Sequence, residues 1–298
     1  MINGVINIFK EKGYTSADVV AKLRGILHQK KIGHTGTLDP AAEGVLPVCL
    51  GNATRLVEYL TDKDKEYVCT IRLGVTTDTE DMTGTVLQEK AVETDEAEFA
   101  EAARSFIGDY QQVPPMYSAL KQNGRRLYEL AREGAVVERP PRAVRIPELE
   151  ILKMELPLAE FRVVCSKGTY IRSLCRDIGE KLGCGAAMEK LKRTRSGSFN
   201  LETALTLDQV QELRDAGTLE AQIFSVEQFF SDRGAVSVPP EDRRLLENGN
   251  ALSLSVLKER MDVRDGEQLR VYDDEGHFRA IYRYDAARKM LCAETMFL

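Results

Sequence analysis

The chain has 298 residues, a net charge of −6, 30% charged and 43% hydrophobic residues, which is an ordinary composition for a globular protein. Its length exceeds the usual size of a single domain, so we expect two domains. No apolar run approaches the roughly 18 residues of a membrane span and no signal-peptide pattern opens the sequence, so we exclude membrane and secreted classes and expect a cytoplasmic location.

Positive charge is concentrated in two stretches of this acidic chain. Residues 104–145 contain eight basic and four acidic residues, and residues 162–195 contain nine basic and three acidic ones. Acidic residues gather instead in 89–101 and 202–232. This segregation could place a phosphate-binding basic face on an acidic body, although ordinary solvated helix faces would give the same pattern.

The cysteines and histidines give no metal-binding pattern. The six cysteines include no Cys-x-x-Cys pair, and the three histidines are isolated. In a chain without a secretion signal, this favours buried, reduced thiols over disulfides or zinc. We therefore expect chemistry without a metal.

The first predicted elements are a strand over 5–9 and a helix that Thr15 or Ser16 caps. The apolar residues of that helix recur every four positions, at Val19, Leu23 and Leu27. A buried strand is predicted over 45–50, and Asn52 is positioned to cap a following helix through Leu60.

Residues 33–50 form a loop of unusual composition that runs into the 45–50 strand. The stretch contains three glycines, two prolines and one histidine. Glycine allows close backbone approach, and Pro40 holds the preceding Asp39 in an extended conformation. The loop either presents Asp39 for a function or uses it as an ordinary turn residue.

A half-buried strand is predicted over 65–74, where Tyr67, Cys69, Ile71 and Leu73 alternate with more polar residues. On this pattern alone, Tyr67 is interpreted as a core aromatic. The acidic loop Asp78–Gly84 that follows is interpreted as a solvent-exposed turn. Asp95 and Glu98 form a predicted capping box for the next helix.

The segment from Gln112 onward has features typical of an insertion that contacts RNA. Two consecutive prolines exclude a regular helix at its start. Basic and aromatic residues then occupy a short helical stretch between Gly124 and Gly134, where arginines suit phosphates and glycines permit hinging. An ordinary charged helix between strands is the alternative.

A strand over 160–165 precedes a helix that Thr169 is positioned to cap. The apolar stripe of this helix leaves Arg172 and Arg176 together on another side. Arg172 is thus available for a carboxylate from another loop, or is an exposed surface arginine. After residue 231 the pattern changes, and strands over 268–272 and 278–284 predict a hairpin in a small β-rich domain.

Several of these segments resemble the motifs of the TruB family of tRNA pseudouridine synthases. The likeness lies in His-Thr-Gly-Thr-Leu-Asp-Pro at 34–40, Gly-Val-Leu-Pro at 44–47, Tyr67 with Arg-Leu-Gly at 72–74, Pro-Met-Tyr-Ser-Ala-Leu-Lys at 115–121 and Cys-Ser-Lys-Gly-Thr-Tyr-Ile-Arg at 165–172. Residues 10–16 resemble the family's first motif, but Glu11 replaces a proline and Phe9 an expected acid. The likeness spans nearly the whole chain and weakens after residue 231.

The resemblance implies an α+β protein with the pseudouridine synthase fold, a mixed, mostly antiparallel sheet with flanking helices. Residues 1–232 would form the catalytic domain, with an RNA-binding insertion at about 121–145. Residues 233–298 would form a small PUA-like RNA-binding β domain. The expected partner is the T-arm of tRNA, bound by a monomer that uses no metal, cofactor or membrane.

The resemblance also implies roles for individual residues. Asp39 would be the catalytic aspartate, Arg172 its ion-pair partner, and Tyr67 a platform for the base whose hydroxyl could also take the C5 proton. His34 would fill the gap that the flipped nucleotide leaves in the RNA. The other expected substrate contacts are Tyr170, Leu191, Lys10, Gly36, Thr37, Lys121, Arg125 and Arg126.

The implied reaction is the isomerisation of the T-loop uridine at position 55 of tRNA. It breaks the N1–C1′ bond, turns the bound uracil and rejoins it through C5, so its stoichiometry requires no cofactor or metal. The site needs an ionised carboxylate, as a retaining glycosidase does, and Arg172 would keep Asp39 ionised. Attack at C1′, attack at C6 and a glycal route remain open.

Two other functions fit parts of the sequence. A non-catalytic tRNA-binding or folding protein could use the same scaffold, but both Asp39 and Arg172 are present. A glycoside hydrolase could act through Asp39 and Glu43, but nothing else resembles a sugar-binding site. We rank the isomerase first and interpret Glu43 as a solvated neighbour of Asp39.

Overall fold

The computed structural model describes residues 1–135, 137–257 and 262–298, and places seven α-helices in them. The helices are α1 Ser16–Leu27, α2 Val57–Thr61, α3 Glu96–Arg104, α4 Leu127–Arg132, α5 Ile171–Lys181, α6 Leu207–Asp215 and α7 Arg243–Glu247. The strands of the first 200 residues are β1 Gly4–Lys10, β2 Ile32–His34, β3 Glu43–Leu50, β4 Lys65–Leu73, β5 Val75–Thr77, β6 Val86–Glu89, β7 Gly108–Gln112, β8 Lys121–Gln122, β9 Arg125–Arg126, β10 Arg142–Ile146, β11 Glu148–Glu155, β12 Leu158–Cys165, β13 Ala186–Ser196 and β14 Phe199–Asn200. The later strands are β15 Gly234–Ser237, β16 Leu252–Ser253, β17 Gln268–Tyr272, β18 Phe278–Asp285 and β19 Met290–Met296.

An eight-stranded sheet forms the centre of the first part of the chain. Its order is β1-β3-β13-β4-β12-β11, with β2 paired to β3 and β14 to β13. The pairings are antiparallel except for β13 with β3, which is parallel. The expected mixed, mostly antiparallel sheet is therefore confirmed.

The central strand β4 shows why this sequence forms a buried sheet. Its residues alternate between buried and half-buried along the whole strand, as the two-residue periodicity predicted. Cys69 lies opposite Leu191 on β13 and Phe161 on β12, and Cys175 of α5 packs onto the same cluster. This packing fixes α5 over the middle of the sheet.

All six cysteines are free in the structure, and five of them are buried.

Helix α1 covers another part of the sheet. Thr15 caps it through a capping box with Asp18, and its buried residues pack with α6 onto β1 and β3. The predicted capping box of α3 is also present, at Asp95, and α6 begins with a capping box at Thr206. No helix in the described ranges is long and apolar enough to cross a membrane.

A second sheet follows residue 233, in the order β15-β17-β18-β19-β16, over its own hydrophobic cluster. The predicted hairpin is present as β17 and β18. The rings of Phe278 and Phe297 lie 6.2 and 6.0 Å from the ring of Phe230, which precedes this sheet. Aromatic packing thus joins the second sheet to the first part of the chain.

Two predicted helix caps are wrong. Asn52 lies within a 3-10 helix, Gly51–Leu56, that has no side-chain cap, and its amide donates instead to the carbonyl of Phe297. Thr169 does not cap α5 because its hydroxyl donates to the carbonyl of Ser166 at 2.9 Å. In both cases the side chain donates to a carbonyl instead of accepting a backbone N–H at the start of the helix.

Candidate active site

The loop between β2 and β3 holds Asp39 in a fixed backbone conformation. The hydroxyl of Ser16 accepts the N–H of Leu38 at 2.9 Å, and Leu38 itself is buried. The carbonyl of Pro40 accepts the N–H of Gly13 at 2.8 Å. Anchors on both sides of Asp39 therefore come from the segment that leads into α1.

Asp39 forms a two-pronged ion pair with Arg172. The Nε of Arg172 lies 2.9 Å from Oδ2 of Asp39, and its Nη2 donates to Oδ1 at 3.3 Å. Arg172 is only 5% exposed, whereas the side chain of Asp39 remains 35% exposed. The structure thus excludes the exposed-arginine alternative and leaves the carboxylate accessible to a ligand.

The remaining donors of Arg172 are also occupied. Nη1 donates to the carbonyl of Thr79 and Nη2 to the carbonyl of Tyr117, both at 3.0 Å. The carboxylate of Asp81 lies 3.7 Å from Nη1. The planar guanidinium of Arg172 is therefore held in one orientation by three segments of the chain.

The interpretation of Asp78–Gly84 as a solvent-exposed turn is wrong. Glu80 and Asp81 are only 9% and 6% exposed. The loop folds towards α5 because Arg172 and Arg176 supply positive charge to its carboxylates. The sequence offered only an indirect signal for this burial: two arginines on one side of a helix need more than one carboxylate as partners.

Burial raises the pKa of Asp39, and this effect exceeds the lowering by Arg172. Asp81 raises the same pKa further, and Lys10 lowers it. Arg172 therefore favours the ionised form, as expected, but does not fully offset the burial.

Tyr67 lies directly opposite Arg193 across the β4 and β13 pair and is almost fully buried. Burial raises the pKa of its hydroxyl, and Arg193 acts in the opposite direction. Arg193 donates from Nε to the carbonyl of Val45 at 2.6 Å and from Nη2 to that of Gly36 at 3.2 Å. Sequence reasoning missed Arg193. The available signal was an arginine within a buried strand, and the structure shows that it lies opposite Tyr67.

Position 44 requires glycine because of its backbone conformation and the close approach of the neighbouring strand. Its φ is +112°, and a Cβ there would lie 2.2 Å from the carbonyl oxygen of Arg193. Only glycine lets β3 and β13 approach this closely. Gly36 also has a positive φ, +148°, beside the guanidinium of Arg193.

Lys10 is completely buried, and its ammonium donates to the carbonyls of Glu11 and Tyr14 at 3.1 and 2.6 Å. Burial lowers its pKa to about 8, while Asp39 acts in the opposite direction. The structure therefore places Lys10 as a support of the loop at 10–14, near enough to Asp39 to interact electrostatically.

His34, Tyr170 and Leu191 lie around this centre. His34 is half-buried, its Nδ1 accepts the N–H of Gly36 at 3.4 Å, and burial and Arg193 lower its pKa. Tyr170 begins α5, and its N–H is bound by the side chain of Gln112 at 2.8 Å. Thr37 is exposed in the Asp39 loop, and buried Leu191 lies two residues before Arg193.

The expected RNA contacts of the insertion lie on a small hairpin. Strands β8 and β9 pair Lys121 with Arg126, and these two side chains and Arg125 are exposed. Arg125 forms an ion pair with Glu133, and Arg126 donates to the hydroxyl of Tyr128 at 3.1 Å. The short helix predicted here is confirmed as α4.

Two other carboxylate groups do not join this centre. Glu43 begins β3 and forms an ion pair with Lys192 at 2.9 Å. In the second sheet, Asp273, Glu275 and His277 have ligand atoms close enough to share a metal ion. The carboxylate of Asp273, however, is already bound by Arg279 at 2.7 Å.

Two family models match consecutive parts of this chain. Residues 24–171 match the family model described as TruB family pseudouridylate synthase (N terminal domain). Residues 172–231 match the model described as tRNA pseudouridylate synthase B C-terminal domain.

Relatives and solved structures match over nearly the whole chain. The tRNA pseudouridine synthase B of Lachnoclostridium phytofermentans is 49% identical over 311 residues, with complete coverage of both chains. That of Clostridium perfringens is 46% identical over 289 residues, covering 95% of this chain and 96% of the relative. A chain in the crystal structure of a Cbf5-Nop10-Gar1 complex aligns with a TM-score of 0.72 and 29% identity, covering 99% of this chain and 85% of that one. The chain therefore has the pseudouridine synthase fold, belongs to the TruB family of pseudouridylate synthases and is an isomerase.

Proposed function

We propose that this protein converts the T-loop uridine at position 55 of tRNA to pseudouridine, with Asp39 as the nucleophile on a flipped-out base. The observation that carries the proposal is the ion pair of Asp39 with buried Arg172, which leaves the carboxylate accessible while its partner is immobilised. The relatives named tRNA pseudouridine synthase B support tRNA as the substrate.

Asp39 must be ionised to act on C1′ or C6 or to promote elimination. Arg172 favours the carboxylate and fixes the plane in which its oxygens lie. Partial burial of the same group removes some of its hydration, which makes the carboxylate more reactive than a fully hydrated aspartate. The remaining 35% exposure gives the substrate access to it.

Tyr67 acts as the platform for the extruded uracil. Removing a base from the RNA stack costs a few kcal/mol, and stacking on an aromatic side chain returns about 1–3 kcal/mol. Because burial raises the pKa of Tyr67, its resting hydroxyl is neutral. Removal of the C5 proton by Tyr67 therefore requires its phenolate form, which Arg193 favours because its positive charge lowers the pKa of the hydroxyl.

Binding of the T-arm uses the side chains around this centre and the exposed insertion. His34 takes the space of the flipped nucleotide, and Tyr170, Leu191, Gly36 and Thr37 surround the base. The exposed side chains of Lys121, Arg125 and Arg126 bind phosphates. Buried Lys10 contributes indirectly, by supporting the loop at 10–14 and by its electrostatic interaction with Asp39. The protein is a monomer in which residues 233–298 form a PUA-like domain that holds a further part of the RNA.

The test is tritium release from unmodified tRNA that carries tritium at C5 of uracil. Wild-type protein is expected to release tritium from one uridine per tRNA, and mapping of the product should place pseudouridine at position 55. Asp39→Asn should release none while still binding tRNA. Equal release by the variant, or release mapped to another position, would contradict the proposal.

A further inference from the structure

Arg172 and Arg176 lie one turn apart on α5 and reach the same two loops. In the loop that leads to the insertion, Arg172 donates to the carbonyl of Tyr117 and Arg176 to that of Val113, each at 3.0 Å. The other loop is Asp78–Gly84, where Arg172 binds backbone and Arg176 binds a side chain. The two arginines thus act on one pair of segments from adjacent turns.

Glu80 is the partner of Arg176 in the second loop. One carboxylate oxygen forms the ion pair with Arg176, and the other accepts the hydroxyl of Ser173 at 2.6 Å. Glu80 is buried and has a φ of +64°. A left-handed conformation is unfavourable for a non-glycine residue, so the contacts with α5 must hold Glu80 in place.

The residues on either side of Glu80 are the ones that reach Arg172. The carbonyl of Thr79 accepts from Nη1 of Arg172 at 3.0 Å, and the carboxylate of Asp81 lies 3.7 Å from the same nitrogen. A change in the backbone at Glu80 would therefore move both neighbours away from Arg172.

We propose that the Glu80 and Arg176 ion pair positions Arg172, and through it sets the geometry of the Arg172 and Asp39 ion pair. The inference rests on the proposed role of Asp39. Arg176 is a positioning residue rather than a catalytic one, because its donors are taken up by Glu80, Asp177, Glu180 and the carbonyl of Val113. Asp39 is not among its partners.

A positioning role has a signature in the pH dependence of the rate. Arg172 is the group that most strongly lowers the pKa of Asp39, so a displaced Arg172 leaves that pKa higher. The acid limb of the rate profile would then move to higher pH. The groups facing Asp39 are Arg172 from α5, Asp81 from its loop, Lys10 from β1 and the hydroxyls of Tyr67 and Tyr170.

The experiment compares Glu80→Gln, Arg176→Gln and the double variant in the tritium-release assay between pH 5 and 9. We expect kcat to fall by about 10-fold or more, since small misplacements of catalytic groups have effects of this size, with KM for tRNA unchanged. The acid limb should move to higher pH. The double variant should be no worse than either single one, because the two side chains act as a unit.

Arg72→Gln is the matched control, because Arg72 forms a comparable ion pair with Glu189 at 2.7 Å, and Arg172 is not among its partners. It should leave kcat and the acid limb unchanged. Arg176→Lys keeps a charge for Glu80 but loses the planar fork, and it provides a folded variant if the glutamines unfold the protein. It should give a smaller kcat loss and a smaller limb shift than Arg176→Gln.

Loss of activity only in proportion to the unfolded fraction, with the wild-type acid limb, would overturn the inference. A limb shift in Arg72→Gln as large as that in Glu80→Gln would also overturn it. Failure of the proposed function is recognised separately, because Asp39→Asn would then release tritium like the wild type.

Discussion

Arg193 lies opposite Tyr67 across β4 and β13 and at the same time binds the carbonyl of Gly36, three residues before Asp39. Among the described residues, no carboxylate lies within ion-pair distance of Arg193. Burying a cation without an anionic partner is costly, so the hydrogen bonds of Arg193 to the carbonyls of Val45 and Gly36 must offset part of that cost. Arg193 therefore links Tyr67 to the loop that carries Asp39.

Arg193→Lys should reduce kcat by about 10-fold or more, because an ammonium cannot reach the carbonyls of Val45 and Gly36 together. A hydrogen bond from a charged donor contributes about 1.5–3 kcal/mol, which corresponds to such a factor. Arg195→Lys on the same strand is the control, since among the described residues Arg195 donates a hydrogen bond only to the nearby carbonyl of Gly197. Single-turnover rates at saturating tRNA provide the measurement, and equal rates in the two variants would exclude the role of Arg193.

Asp39→Asn should leave the folded protein at least as stable as the wild type at pH 7. The pKa of Asp39 is raised above its ordinary value of 3.8 in the folded state. For an acid this means that the fold favours protonation, so stability falls as pH rises through the unfolded and then the folded pKa. Asparagine removes that cost, and Arg172 keeps the carbonyls of Thr79 and Tyr117.

Urea unfolding at pH 7 and at pH 4.5 tests this expectation. The advantage of Asp39→Asn over the wild type should be greatest at pH 7 and shrink as the pH falls, because protonation of Asp39 in the folded state relieves the cost of burying its charge. A variant that is clearly less stable at pH 7 would show that the ion pair stabilises the fold on balance.

The sequence predicted those site residues whose placement is set by their neighbours along the chain. Asp39 stands out through the glycines and prolines around it, and Tyr67 through the alternation of β4. Glu80 and Asp81 could not be found this way, because an acidic turn is normally exposed and these two are buried only by arginines from distant α5. Thr169 shows the same limit, since the hydroxyl of a good capping residue was taken by the preceding turn.

Gly44→Ala should destabilise the protein strongly. The new Cβ would lie 2.2 Å from the carbonyl oxygen of Arg193, and the φ of +112° is itself unfavourable for alanine. Gly13→Ala is the matched control, because Gly13 has a φ of +97° but open space around its Cβ position. Strain alone costs about 1–3 kcal/mol, so thermal unfolding should show that cost in Gly13→Ala and a larger loss in Gly44→Ala. Equal losses would mean that the β3 and β13 contact relaxes without cost.

The insertion hairpin should contribute to tRNA affinity in a salt-dependent manner. Each phosphate contact removed lowers the slope of log K against log salt by about 0.7 for single strands and 0.9 for duplex RNA or DNA. Lys121→Ala and Arg126→Ala should each show such a decrease, since neither side chain forms an ion pair among the described residues. Arg125→Ala should have a smaller effect, because a phosphate must first displace Glu133 from Arg125.

Lys153→Ala is the control for this series, since exposed Lys153 lies on β11 and pairs with Glu155 at 2.9 Å. Filter binding between 50 and 300 mM KCl gives the slopes, and thermal unfolding confirms that each variant is folded. If Lys121→Ala and Arg126→Ala keep the slope of Lys153→Ala, the hairpin does not contact phosphates. If Arg125→Ala has the largest effect of the three, Glu133 releases its arginine when tRNA binds, and the ion pair belongs to the free protein alone.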